Sequence, residues 1–268
     1  MPYGETLLDL SHTPYETPYQ FTDYEKDQET GLHYAEARYY DPNLSLWLSV
    51  DSLAEKYPNI SSYAYCANNP VKFVDPDGRE PRIYVETQGF GHAFVTVGIG
   101  DETIVYTYGR YGELGKNKSS ARSTTPTGEG VLIRLTGNDA KNFIQEQMLS
   151  NEAVAFEFIN GSDKLVTNHF EEIFNNSDKI PTVGKYAGDE RARLVDTYNL
   201  FTNNCVTTSV EGVQSGVKQD LKLDDLIKPS TLKNMLNVLA GEKNSGVVKI
   251  PYENIKKELK LTGVTGTW

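Results

Sequence analysis

Charge, tyrosine content and turn dipeptides all change at one place in this chain, near residue 78. A chain whose two parts follow different composition rules is expected to fold as two pieces. Residues 1–78 hold four basic and thirteen acidic groups, net −9, and ten of the seventeen tyrosines; residues 79–268 hold 22 basic and 24 acidic groups, net −2. The first part is punctuated by Asp41-Pro42, Tyr57-Pro58, Asn69-Pro70, Asp75-Pro76 and Asp77-Gly78. Such pairs specify turns, because proline presets φ and Asp or Gly accepts the conformations a turn requires. This part reads as short strands and turns, with few Leu, Ile or Val clusters and too little surface to bury for a stable core of its own.

Residues 79–268 read as an α+β domain in which an antiparallel sheet is packed with helices. Ile83-Tyr84-Val85, Ala93 to Val97, Ile104 to Tyr108, Val131 to Leu135 and Ala153 to Ile159 have strand character. Asn138 or Asp139 is placed to cap a helix carrying Phe143, Ile144, Gln147 and Met148 at helical spacing. A proline-free stretch from Cys205 to Val217 and a second one starting at Ser230-Thr231 give two more helices. The glycine- and Ser/Thr-rich run from Gly109 to Gly130 reads as a mobile loop.

The whole-chain charge of −11 repels phosphate backbones and anionic membranes, so no nucleic-acid partner is expected. No apolar run approaches the roughly eighteen residues of a membrane span. The start, MPYGETLLDL, lacks the basic and apolar regions of a Sec leader. The expectation is a protein made in the cytoplasm that leaves it, if at all, without a Sec signal. Two cysteines, Cys66 and Cys205, with no CxxC, HExxH or alternating Asp loop, leave no disulfide framework, no metal site and no cofactor to expect.

Two of the second part's residues carry reactive side chains in settings that suit catalysis. His92 sits in Gly89-Phe90-Gly91-His92-Ala93-Phe94, at a strand start whose glycines let a ligand approach the backbone. Cys205 follows Asn203-Asn204 and opens a helix, where unpaired N–H groups and the helix dipole favour a thiolate. Cys205 as nucleophile and His92 as base make a Cys/His pair, with the Cys205 N–H and the Asn204 side chain as oxyanion donors. The plainer alternative makes Cys205 a small buried hydrophobe. Tyr108, Arg110 or Glu113 would lie across a hairpin from His92 to orient it. His169, within Thr167 to Glu172, reads as the polar face of a short helix.

Two resemblances bear on these residues. Glu29-Thr30-Gly31-Leu32, Ala37 to Pro42, Trp47 to Asp51, Tyr63-Ala64-Tyr65, Asn68-Asn69-Pro70 and Asp75 to Gly78 together resemble the end of an Rhs-repeat-associated core. The resemblance implies that residues 1–78 are the C-terminal fragment of a β-rich shell and that residues 79–268 are a toxin domain. It also implies self-cleavage just after the Asp75-Pro76-Asp77-Gly78 motif, which ends here on Arg79 where the family has leucine. Asp75 with Asp51 or Asp41 is the candidate processing pair, since two carboxylates can share a proton; a simple turn is the alternative for Asp75. A cognate immunity protein, the Rhs shell with its type VI or related secretion machinery, and injection into a competing cell follow from the same resemblance.

The order of His92 on an early strand and Cys205 on a later helix, with Pro229-Ser230-Thr231-Leu232 beyond, resembles the circularly permuted papain-like proteins, which include cell-wall amidases, proteases and lecithin:retinol-type acyltransferases. It implies a cysteine hydrolase of amide or acyl bonds, acting on peptidoglycan peptides or a target-cell protein. Lipid acyl transfer, deamidation, or a non-catalytic cargo or binding domain are the alternatives.

Overall fold

The computed structural model describes residues 2–5, 19–35, 38–50, 61–71, 80–111, 127–159, 161–217, 228–242 and 245–261. The chain divides into two compact units, one of Met1–Arg79 with Asn160–Ser162, the other of Glu80–Ile159 with Asp163–Trp268.

In the first unit, four strands of two or three residues, β1 (Glu25–Lys26), β2 (His33–Tyr34), β3 (Tyr39–Asp41) and β4 (Leu46–Trp47), form an antiparallel sheet in chain order. Aromatic rings replace the missing aliphatic core. Tyr24, Tyr40, Trp47 and Tyr65 are fully buried and pack with Phe21, Tyr40 and Tyr65 lying 4.5 Å apart between centroids. The Arg38 guanidinium caps the Trp47 ring at 4.2 Å. Asp41 closes the turn that follows β3: its Oδ1 accepts from the N–H groups of Asn43 at 2.8 Å and Leu44 at 3.2 Å. This candidate processing carboxylate therefore serves a local turn. Asp51 and Asp75 lie outside the described residues.

The second unit is α+β. Among its described residues, seven strands, β5 (Arg82–Glu86), β6 (His92–Val97), β7 (Ile104–Gly109), β8 (Thr127–Leu135), β9 (Val154–Phe158), β10 (Ala192–Asn199) and β11 (Val247–Ile250), run in the order β10-β8-β7-β6-β5-β9-β11 with every pairing antiparallel. Among the described residues, five helices cover it: α1 (Gly137–Ser150), α2 (Asp163–Asn175), α3 (Cys205–Gly216), α4 (Pro229–Gly241) and α5 (Tyr252–Glu258).

Helices lie on both faces of the sheet. Ile83, Val85, Ala93 and Val95 pack with apolar residues of α2, α3 and α4. Their neighbours Tyr84, Phe94 and Val105 pack with α1 and α5. That arrangement is why β5 and most of β6 are buried along their length. The expected loop from Gly109 to Gly130 is shorter at its far end, because β8 already begins at Thr127 and pairs there with Asn199. Helix α1 starts at Gly137, with Thr136 in the N-cap position; Asp139 instead pairs with Arg191 at 2.6 Å. Among the described residues, no helix is long and apolar enough to cross a membrane.

Candidate active site

Antiparallel pairing brings one end of each central strand to the same edge of the sheet. The start of β6 at His92, the end of β7 at Gly109, the start of β8 and the end of β10 all lie there. Helix α3 packs on β6 and β7 and opens with Cys205 at this edge.

The approach to His92 depends on Gly91, which has φ +75° and on which a Cβ would meet Pro229 Cβ at 2.7 Å and the Glu86 carbonyl at 2.8 Å. Only glycine fits a turn so close to the first residue of α4. His92 then pairs with Glu86 across β5 and β6. Its Nε2 lies 2.6 Å from Thr107 Oγ1 and 3.2 Å from the Tyr111 hydroxyl, and those two hydroxyls are 2.9 Å apart. Register explains the choice of Thr107. It pairs with Phe94, two residues from His92, so both side chains leave the same face of the sheet.

The residues expected to orient His92 are differently placed. Tyr108 is on the other face, clustered with Cys205, and its hydroxyl donates to Asp196 Oδ1 at 2.5 Å. Arg110 is buried, with its guanidinium 6.0 Å from the Tyr198 ring centroid. Glu113 lies outside the described residues.

Cys205 is a free, buried thiol at the first position of α3. The nearby backbone N–H groups of Ala93, Val206 and Cys205 itself favour its charged form. Ala93 is the residue after His92. Burial nevertheless pushes the thiol up to about 11, with the Glu86 carboxylate adding to the rise against the N–H groups. The expectation of a thiolate at the helix N-terminus is therefore corrected: loss of water outweighs the helix end, and the resting group is a neutral thiol.

Asn204 is also reassigned. Its Oδ1 accepts from Val206 N–H at 2.8 Å and Thr207 N–H at 3.3 Å, while Thr207 Oγ1 accepts from the Asn204 N–H at 2.8 Å. This is a complete capping box. The amide's Nδ2 donates to the Leu200 carbonyl at 2.9 Å. Both ends of the side chain are thus committed to holding the helix start, and none is left for an oxyanion. Tyr198, near the end of β10, belongs to the same buried cluster as Cys205; no reactive-residue motif pointed to it. His169 lies on α2 against Phe170, its Nε2 buried without a hydrogen-bond partner. Among the described residues, no three His, Cys, Asp or Glu side chains gather as metal ligands.

No family model matches the chain, and neither does any solved structure. Over 77 residues, 27% of the chain, it is 40% identical to the tRNA nuclease WapA of Bacillus subtilis strain 168, of which it covers 3%. Over 83 residues, 30% of the chain, it is 39% identical to toxin subunit YenC2 of Yersinia entomophaga, covering 8% of that protein. Over 80 residues, 30% of the chain, it is 36% identical to salivary gland surface protein 1 of Aedes aegypti, covering 2%. The chain thus spans less than a tenth of each of these relatives. Partial similarity to toxin proteins is established, and it extends over less than a third of the chain in each case.

Proposed function

We propose that this chain is the C-terminal part of an Rhs-type polymorphic toxin, and that its second unit is a cysteine-dependent hydrolase of amide or acyl bonds with Cys205 as nucleophile and His92 as base. One observation carries the reading. The Cys205 sulfur is held at the head of α3 against the backbone of Ala93, while the adjacent His92 has its Nε2 fixed by Thr107 and Tyr111. His92 and Thr107 leave one face of the sheet while Cys205 packs with Ala93 and Tyr108 on the other, so the reading requires the imidazole to turn at the strand end to take the thiol proton.

Because the resting thiol is neutral, deprotonation and attack are coupled. The proton passes to His92 as sulfur adds to the carbonyl carbon, the imidazolium then protonates the departing amine or alcohol, and water hydrolyses the acyl-enzyme with His92 again as base. Peptidoglycan peptides or a target-cell protein are the proposed substrates; lipid acyl groups and glutamine side chains suit the same chemistry. An immunity protein that occludes the site, carriage by an Rhs shell and secretion machine, and cleavage near residue 79 involving Asp75 and Asp51 belong to the same reading. The similarity to a toxin subunit supports the carrier part.

The test uses the full chain as wild type, Cys205→Ala and His92→Ala, offered purified peptidoglycan, acyl esters and tRNA. Product release that disappears in both variants is the expected result. Cleavage of tRNA that survives Cys205→Ala would make the second unit a nuclease and end the hydrolase reading.

A further inference from the structure

A base that takes a proton where water is scarce becomes a cation in need of a counter-charge. The two hydroxyls that hold His92, Thr107 Oγ1 at 2.6 Å and Tyr111 at 3.2 Å, do not provide one. Thr107 is neutral, and burial keeps the Tyr111 phenol above its ordinary range. They fix the ring without compensating its charge.

The register of the sheet places a carboxylate there. Glu86, the last residue of β5, pairs with His92, the first residue of β6, so both side chains leave the same face at the end of the ladder. The Cβ atoms of such a pair lie about 5 Å apart, within reach of a glutamate and an imidazole whichever way the ring turns. Glu86 is only 3% exposed. Its Oε2 accepts from the Gln88 N–H at 3.1 Å, and the Gln88 carbonyl accepts from the Gly91 N–H at 3.0 Å. The carboxyl is thereby tied to the turn that delivers His92. Its charge acts on Tyr111 and on Cys205, the first beside His92 in the resting site and the second its proposed proton donor. Other ionisable groups stand around this end of the sheet. Tyr186 meets Tyr111 edge-on at 5.2 Å, and its buried phenol stays neutral. Lys228 and Lys233 are at the head of α4, and Lys233 Nζ is 3.5 Å from Thr87 Oγ1. As cations they offer an imidazolium no counter-charge.

We infer that Glu86 is the positioning residue for His92: its carboxylate accepts a hydrogen bond from the imidazole and balances the charge that His92 gains on taking the Cys205 proton. The inference rests on the hydrolase reading above and adds a residue to its site. As the sulfur–carbon bond forms, the carbonyl π pair moves onto oxygen and the thiol proton moves to His92. When that pair returns, the bond to the leaving group breaks and the leaving group takes the proton from His92. Glu86 stays deprotonated throughout.

The test reads His92 and the chemistry separately, in the full chain as wild type, Glu86→Gln and Glu86→Asp. In an NMR titration, the His92 signal is identified by its loss in His92→Ala. Its midpoint is expected to fall by about 1 pH unit or more in Glu86→Gln, and to return most of the way in Glu86→Asp, which keeps the charge. Acylation of Cys205 by p-nitrophenyl acetate uses His92 as base and is expected to slow about 10-fold or more in Glu86→Gln. Alkylation by iodoacetamide, which displaces iodide and protonates no leaving group, is expected not to slow. A purely structural role would slow both reactions together. A His92 midpoint unmoved in Glu86→Gln, or equal slowing of both reactions, overturns the inference and leaves Cys205 and His92 in their roles. A wild type whose Cys205 is not acylated overturns the hydrolase reading and the inference with it.

Discussion

Burial sets the resting state of Cys205, and two kinds of neighbour adjust it. Backbone N–H groups of Ala93, Val206 and Cys205 favour the thiolate, while the Glu86 carboxylate, itself buried and opposite His92 on β5, disfavours it. Iodoacetamide alkylation of the folded wild type is therefore expected to keep rising with pH beyond the ordinary cysteine value of about 8.5, toward about 11. Glu86→Gln removes the opposing charge and is expected to move that curve to lower pH, with faster alkylation at pH 8. A curve unchanged in Glu86→Gln would remove Glu86 from the site's electrostatics. The same shift has a thermodynamic side. An acid raised on folding stabilises the native state fully below its unfolded value and loses that contribution as pH climbs through the folded one. Cys205→Ala should then flatten the decline in melting temperature between about pH 9 and pH 11.

At the scale of elements, α3 is the piece whose start matters most. Asn204→Ala removes the acceptor for two N–H groups and is expected to cost about 1–2 kcal/mol in denaturant unfolding, with Asn204→Asp recovering most of it. The helix was legible in Cys205 and the apolar spacing behind it, as were strands β5 to β9, whose hydrophobic runs fit a sheet buried on both faces. Strand β10 was not. Its sequence, ARLVDTYN, does not alternate cleanly, because it forms one edge of the sheet, shifts register between Leu194 and Asp196, and is held in place by the long partner β8. Missing β10 meant missing Tyr198. Thr107 was missed for a smaller reason: the hairpin suggested Tyr108, one residue away, and a slip of one position exchanges the faces of a strand. Glu86 and Tyr111 had no local signal, since their importance comes from pairing and packing.

The second unit as a whole is closed by an ion triad. Arg82 Nε pairs with Glu157 at 2.6 Å, and its two terminal nitrogens pair with Glu258 at 2.8 and 2.9 Å. Arg82 and Glu157 are almost entirely inaccessible to water. A buried charge stripped of its partner is costly, so Glu157→Gln is expected to destabilise the unit by about 3–5 kcal/mol, measurable by thermal or urea unfolding. Replacing Arg82, Glu157 and Glu258 together with apolar residues of similar volume should cost less than that single change, because removing every charge leaves nothing unpaired. A triple variant less stable than Glu157→Gln would show that the triad itself favours folding.

The triad also imposes a schedule. A ribosome makes Arg82 long before Glu258, 176 positions later, and until that last helix emerges the guanidinium at the start of β5 lacks two of its three ionic contacts. The central sheet is then least stable while the chain is incomplete, because the buried Arg82 charge is only partly paired. A chain that stops short of Glu258 is therefore expected to unfold more readily than the whole chain.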